Sequence, residues 1–145
     1  MHRFAPLVAV ALLAAGCGSG SERLSKAEYV RKADAICTSN NKRLARLETP
    51  RTPNQIVAYT TKGLASLDEA LAAERDLLPP KELDSLKQRW LRQADVLRRD
   101  VVALRTAAKN TDITAMNQAL DKIARDDQKG NAIAAQLGLK VCSKP

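Results

Sequence analysis

The residues of this chain whose types and spacing could do chemistry are three cysteines, one histidine, and a polar interruption in the apolar pattern near the C-terminus. His2 is the only histidine of the 145 residues and lies in the N-terminal segment, just ahead of an apolar run that reads as part of the same leader. If that leader is removed, no imidazole remains for general-base work, for activating a Ser or Cys nucleophile, or for binding zinc or haem. Cys17, Cys37 and Cys142 include no Cys-x-x-Cys pair, which disfavours a dithiol redox centre. The carboxylates lack calcium-loop spacing. No catalytic residue, cofactor or metal is therefore expected. The interruption is Asp127, Gly130 and Asn131, standing where apolar residues are due. Antiparallel pairing of the last helix with the first would set Asp127 and Asn131 near Arg31 and Asp34. That polar layer has two readings: a buried Arg-Asp network that fixes helix register at some cost in stability, or a site for a small ligand or ion.

Cys17 carries the strongest positional signal. Arg3 gives a short positive start, Ala5 to Leu13 is apolar, and Ala14-Ala15-Gly16 are the small residues a peptidase needs. About a dozen apolar residues fall short of the ~20 that span hydrocarbon, so the run reads as a removable signal. Small residues, then Cys17, then Gly18-Ser19-Gly20-Ser21 resemble the lipobox of bacterial lipoproteins, departing from its commonest form in having Ala14, not Leu, three before the cysteine. The resemblance implies cleavage after residue 16, a diacylglycerol on the Cys17 thiol, and a lipid-anchored domain on the extracytoplasmic face of the cell membrane. An ordinary secretory signal would leave Cys17 as an exposed thiol in an oxidising compartment. The chain thus divides into a signal (1–16), a flexible tether (17–24) and a folded domain (25–145). From Cys17 to Leu24 the tether reaches on the order of 25 Å, close to the lipid headgroups.

Periodicity sets the fold. Ser25-Lys26-Ala27-Glu28 is a capping box, with Leu24 and Tyr29 placed as a hydrophobic staple. Val30, Ala33, Cys37, Asn40, Leu44 and Leu47 follow at helical steps. Thr52-Pro53-Asn54-Gln55 repeats the start signal before Ile56, Thr60, Leu64, Leu67, Leu71 and Leu78, and Pro79-Pro80 stops the second helix. The third has the cleanest stripe: Leu83, Leu86, Trp90, Ala94, Leu97, Val101, Leu104 and Ala108. Thr111 or Asp112 caps the fourth, which carries Ile113, Met116, Leu120, Ile123, Ala134 and Leu137 and closes on Gly138. Helices of about 23 to 28 residues with short connections favour an all-α, antiparallel up-down-up-down four-helix bundle.

An even pair of cysteines left in an exported domain, Cys37 and Cys142, invites a disulfide. Cys37 lies ~18 Å up the first helix, and the tail from Leu137 to Cys142 spans roughly 17 Å when extended, so the tail must run back along that helix. The alternative is two unpaired thiols, one on the core stripe. Ala33-Asp34-Ala35-Ile36-Cys37, together with Leu137-Gly138-Leu139-Lys140-Val141-Cys142, resembles small helical lipoproteins of high-GC Gram-positive bacteria. The resemblance covers the two ends of the domain and implies a lipid-anchored, disulfide-closed bundle. It carries no reaction with it.

Charge and composition bound the partners. Without Arg3 the chain has 23 basic and 16 acidic side chains, a net of +7. Such a domain is drawn to anionic headgroups or acidic wall polymers, unless the excess only keeps it soluble. Lys87, Arg98, Arg105 and Lys109 flank the third stripe, either as long side chains covering the core edge or as a strip engaging anionic surfaces. Aromatic residues are 3% of the chain, too few for the stacking platforms of nucleic-acid binding. The leading expectation is a non-enzymatic envelope module that binds or scaffolds a partner. The alternative is a small-ligand carrier or sensor using the polar layer, and an enclosed cavity beside Asp127, as against a filled core, is what would separate them.

Overall fold

The computed structural model describes residues 22–144, which form four α-helices and no strand: α1 (Lys26–Leu44), α2 (Pro53–Asp76), α3 (Asp84–Lys109) and α4 (Ile113–Leu137). Cys17, the signal segment and the tether as far as Ser21 lie outside the described residues. Among those described, no helix is long and apolar enough to cross a membrane.

The helix starts are local chemistry. The Ser25 hydroxyl accepts the Glu28 N–H at 3.3 Å while the Glu28 carboxylate accepts the Ser25 N–H at 3.0 Å, closing the capping box. Thr52 and Gln55 do the same at α2, with Pro53 at the first helical position. Asp112 caps α4 by accepting the Ala115 N–H at 2.9 Å, and Thr111 before it takes a left-handed φ of 53°. Such groups satisfy the amide donors that every helix start leaves without an intrahelical acceptor.

The helix ends are equally specific, with one departure from expectation. α1 has 19 residues and stops at Leu44, although the apolar stripe continues to Leu47. The Arg46 and Leu47 N–H groups bond only three residues back, to Arg43 and Leu44. Pro50 sets only an outer limit, since in a continuing helix it has no N–H to offer the Arg46 carbonyl and its ring would collide with it; the helix ends before that limit is reached. α2 ends before Pro79, and a single 3-10 turn (Lys81–Leu83) leads into α3. α4 ends where Gly138 takes φ 87°; the Leu139 N–H then bonds back to the Ala134 carbonyl at 3.0 Å, and Leu139 is buried. This is the glycine-terminated helix end the sequence predicts.

Neighbours in sequence are neighbours in space: α1 packs on α2, α2 on α3, and α3 on α4. Their side-chain partners run in opposite directions, Asp68 with Arg98 and Arg75 with Asp95 across α2 and α3, Arg89 with Gln136 and Gln93 with Asp126 across α3 and α4. Two apolar clusters divide the core. One, at the end where the chain begins, holds Tyr29, Ala33, Leu71, Trp90, Leu91, Ala134, Leu137 and Leu139. The other holds Leu104, Ala107, Ala108, Met116 and Ala119 with Ile56, Val57 and Ile123 against it, and no residue of the shorter α1.

The C-terminal tail closes the first end. Cys37 and Cys142 are joined in a disulfide with their Cα atoms 5.4 Å apart. The tail runs back along α1, where the Asp34 carboxylate accepts the backbone N–H groups of Lys140, Val141 and Cys142 at 2.8 to 3.3 Å. The chain's beginning is fixed at the same end: the Leu24 N–H donates to the Leu78 carbonyl at 2.8 Å, and Arg23 grips both oxygens of Asp84 at 2.8 Å.

Candidate functional site

Between the two core clusters the four helices and the tail surround a cleft of about 150 Å³. Each helix contributes one short stripe: Ile36, Cys37, Asn40 and Asn41 from α1; Leu67, Ala70, Leu71 and Glu74 from α2; Trp90, Gln93, Ala94 and Leu97 from α3; Asp126, Asp127, Gly130 and Asn131 from α4. Val141, Cys142 and Lys144 supply the tail's side. The space exists because the residues facing each other at this level are small: Ala70, Ala94 and Gly130, the last with only the Gln93 side chain 3.7 Å from where a Cβ would stand. Full-sized aliphatic side chains here would fill it, as they do on either side.

Glu74 is the unusual group of this cleft. It is 2% exposed, and neither carboxylate oxygen has a hydrogen-bond partner. Burial, reinforced by the negative charge of Asp34 and opposed by the Lys87 ammonium, pushes its pKa up to about 7. Tyr29 is fully buried with its hydroxyl unpartnered as well. Burial first, then the charge of Glu74, holds that phenol above its ordinary value. A carboxylate oxygen of Glu74 and the sulfurs of Cys37 and Cys142 lie within 4.8 Å of one another. The sulfurs are bonded to each other, so this cluster offers no thiolates to a metal.

The polar layer expected from the sequence is divided. Asp127 and Asn131 reach the cleft and are bonded to each other, the Asn131 Nδ2 donating at 3.0 Å. Asp34 holds the tail. Arg31 is exposed and joins neither; two residues on from the buried Tyr29, it projects about 200° around the helix from the core face. On α3, Asp100 is buried beside Asp126. Burial first and then that neighbouring carboxylate hold Asp100 above the ordinary aspartate range, whereas Asp126 is held below it, chiefly by Lys129.

The flank of α3 is not a continuous basic strip. Lys87 is 4% exposed, and its ammonium donates to the carbonyls of Arg75 and Leu77, closing the end of α2. It was expected on the surface, but carbonyls left without partners at a helix end attract a cation. Arg98 is held in a two-point pair with Asp68 at 2.5 and 2.9 Å. Arg105 is half-buried, and Lys109 is exposed at the last turn.

Glu74, Tyr29 and Gln93 carried no site signal in the sequence reading. A sign was nevertheless present: Glu74 falls three residues after Leu71 and seven after Leu67, and Gln93 three after Trp90, so both sit on apolar stripes. A polar residue on a core stripe is a candidate buried group. No family model matches the chain, and no match to it was found among curated proteins or solved structures.

Proposed function

We propose that this protein is a lipid-anchored, extracytoplasmic binding module that captures a small ligand in the cleft between its four helices, acting as a carrier or sensor and not as an enzyme. The observation that carries the reading is Glu74: a carboxylate buried in the wall of a cleft with neither oxygen partnered inside the protein. Buried polar groups are nearly always bonded, so a carboxylate without a partner beside a cleft marks a level of the bundle that internal packing leaves unsatisfied. Of the two readings the sequence left open, the ligand site draws its support from the space beside Asp127, which is a partly open cleft and not the enclosed cavity that would decide between them. The internal roles of Lys87 and Arg98 also take weight from the α3 flank as a surface for acidic polymers. The extracytoplasmic anchor rests on the pattern around Cys17. Binding in place of catalysis is favoured by the lack of any histidine other than His2.

Trp90 is the only tryptophan of the chain and lines the cleft, so its emission reports occupancy. With the full chain held in discs of neutral lipid, small aromatic probes are expected to shift that emission saturably. Ala94→Met, which fills the cleft, is expected to abolish the shift while leaving the helical circular dichroism unchanged. A panel of cationic, neutral and anionic probes that leaves Trp90 emission untouched would remove the ligand reading.

A further inference from the structure

We propose that the Cys37–Cys142 bridge is an exchange site, opened by a small dithiol that attacks Cys142 Sγ while Glu74 hands its proton to the departing Cys37 sulfur. The proposal stands on where three side chains meet and requires no ligand in the cleft. Both cysteines line the cleft and are half-buried, so a reagent entering it meets sulfur. The volume of about 150 Å³ matches cavities that admit a benzene-sized molecule, which sets the scale of the dithiol. Glu74 stands differently. Its two oxygens have no appreciable accessible surface, and one of them lies within 4.8 Å of both sulfurs. The group within reach of this acid is therefore the bridge. A buried polar group without a partner calls for a role, and proton transfer in redox chemistry is one that requires it to be free. Lys87, whose ammonium acts on Glu74 through space, is committed to the carbonyls that end α2.

The roles of the two sulfurs follow from what holds them. Cys37 is fixed in α1, whereas Cys142 belongs to a tail held there by backbone N–H bonds to Asp34, so Cys142 is the sulfur that can follow an incoming reagent. One thiolate of the dithiol bonds to Cys142 Sγ, the bond between the cysteines breaks, and its electron pair goes to Cys37 Sγ. Exchange depends on how well that thiolate leaves, and a leaving charge inside the bundle is costly unless it is neutralised. The Glu74 carboxyl neutralises it by proton transfer, becoming a carboxylate that solvent later reprotonates. The second sulfur of the dithiol then closes on the first, releasing Cys142, which takes its proton from solvent. The protein has gained two electrons and two protons, and the dithiol has become a cyclic disulfide. The tail, one side of the cleft, is left with only its bonds to Asp34 on α1.

The dependence on pH follows. Tyr29 and Asp34 face Glu74 from α1 and Lys87 from α3, while Asp126 and Asp127 on α4 and Lys144 of the tail line the same cleft. With Glu74 titrating at about 7, the donor is loaded below neutrality and spent above it, and its protonated share falls about tenfold from pH 6 to pH 8.

The test treats the full chain, in neutral-lipid discs and without denaturant, with dithiothreitol at pH 6 and pH 8. Thiols are trapped by alkylation and read by mass spectrometry at Cys37 and Cys142. Each rate is divided by that of a linear-peptide disulfide run alongside, which removes the ionisation of the dithiol itself. On the native chain this relative rate is expected to fall about tenfold from pH 6 to pH 8, following the protonated share of Glu74. Glu74→Gln is expected to show no such fall and to be at least tenfold slower than the native chain at pH 6. Should Glu74→Gln fail to fold, the native profile decides alone. A relative rate that is flat overturns the proposal. So does one that rises with pH, the behaviour of a bridge reached only by unfolding, because ionising Glu74 destabilises the bundle. Glu74→Gln matching the native chain at pH 6, or a bridge that dithiothreitol opens only in denaturant, overturns it as well.

Discussion

The carboxyl group of Glu74 holds its proton to about pH 7 in the folded protein, well above the ordinary glutamate value, because ionising it inside the bundle leaves a charge with no donor. Between that ordinary value and about 7 the folded state keeps a proton that the unfolded chain has released, so stability falls as pH rises across the window. At about 1.4 kcal/mol per pH unit the loss by pH 8 is roughly 3 kcal/mol. Glu74→Gln is therefore expected to be more stable than the native protein at pH 8, by about 1 to 2 kcal/mol once its own buried amide is counted, and no more stable at pH 4. Urea midpoints at the two pH values check this, and a difference that ignores pH would sink it. Asp34 is bonded where Glu74 is not: its carboxylate accepts three tail amides. Asp34→Ala should cost about 2 to 3 kcal/mol and speed hydrogen exchange at Lys140, Val141 and Cys142 first. Of these two residues Asp34 was visible from sequence as a polar candidate, though with a different partner. Glu74 was hidden by the apolar company it keeps on α2.

At the level of the helices, what could be read in advance was what local chemistry decides. Ser25 with Glu28, Thr52 with Gln55, Asp112 and Gly138 each act within a few residues of themselves, so their types and spacing were enough. The end of α1 at Leu44 was not legible, because the apolar stripe runs on to Leu47 and the first helix-breaking residue after it is Pro50. The cleft was not legible at all, since it depends on Ala70, Ala94 and Gly130 meeting across three helices whose relative height no single stripe reveals. Two glycines give opposite expectations. Gly138→Ala places a Cβ at φ 87° and should cost about 1 to 2 kcal/mol. Gly63→Ala in the middle of α2 adds a methyl that meets Leu44 Cδ2 at 3.7 Å, an ordinary contact, and should gain about 0.5 to 1 kcal/mol. Thermal melting of the two variants beside the native chain checks both signs.

For the molecule as a whole, the all-α class and the Cys37–Cys142 pairing were within reach of the sequence, because helical periodicity and a cysteine pair at opposite ends leave few arrangements. The disulfide closes a loop of 105 residues, for which chain entropy predicts up to about 4.7 kcal/mol. The double variant Cys37→Ser with Cys142→Ser should lose about 3 to 5 kcal/mol, measured by denaturation against the oxidised protein. At the end where the tether joins, Lys26, Arg31, Lys32 and Lys140 are all exposed. An unacylated Cys17→Ser chain is therefore expected to bind anionic vesicles in low salt and leave them as salt rises; equal binding to neutral vesicles would exclude this. The same bridge that closes the loop also reroutes any mechanical load. A pull applied between Glu22 and Lys144 passes through α1 as far as Cys37, crosses the two sulfurs, and leaves by the last few residues. Only about 20 residues of slack, on the order of 70 Å, can then be drawn out, against roughly 400 Å once the bridge is reduced. Three of the four helices are thus shielded from force along that axis.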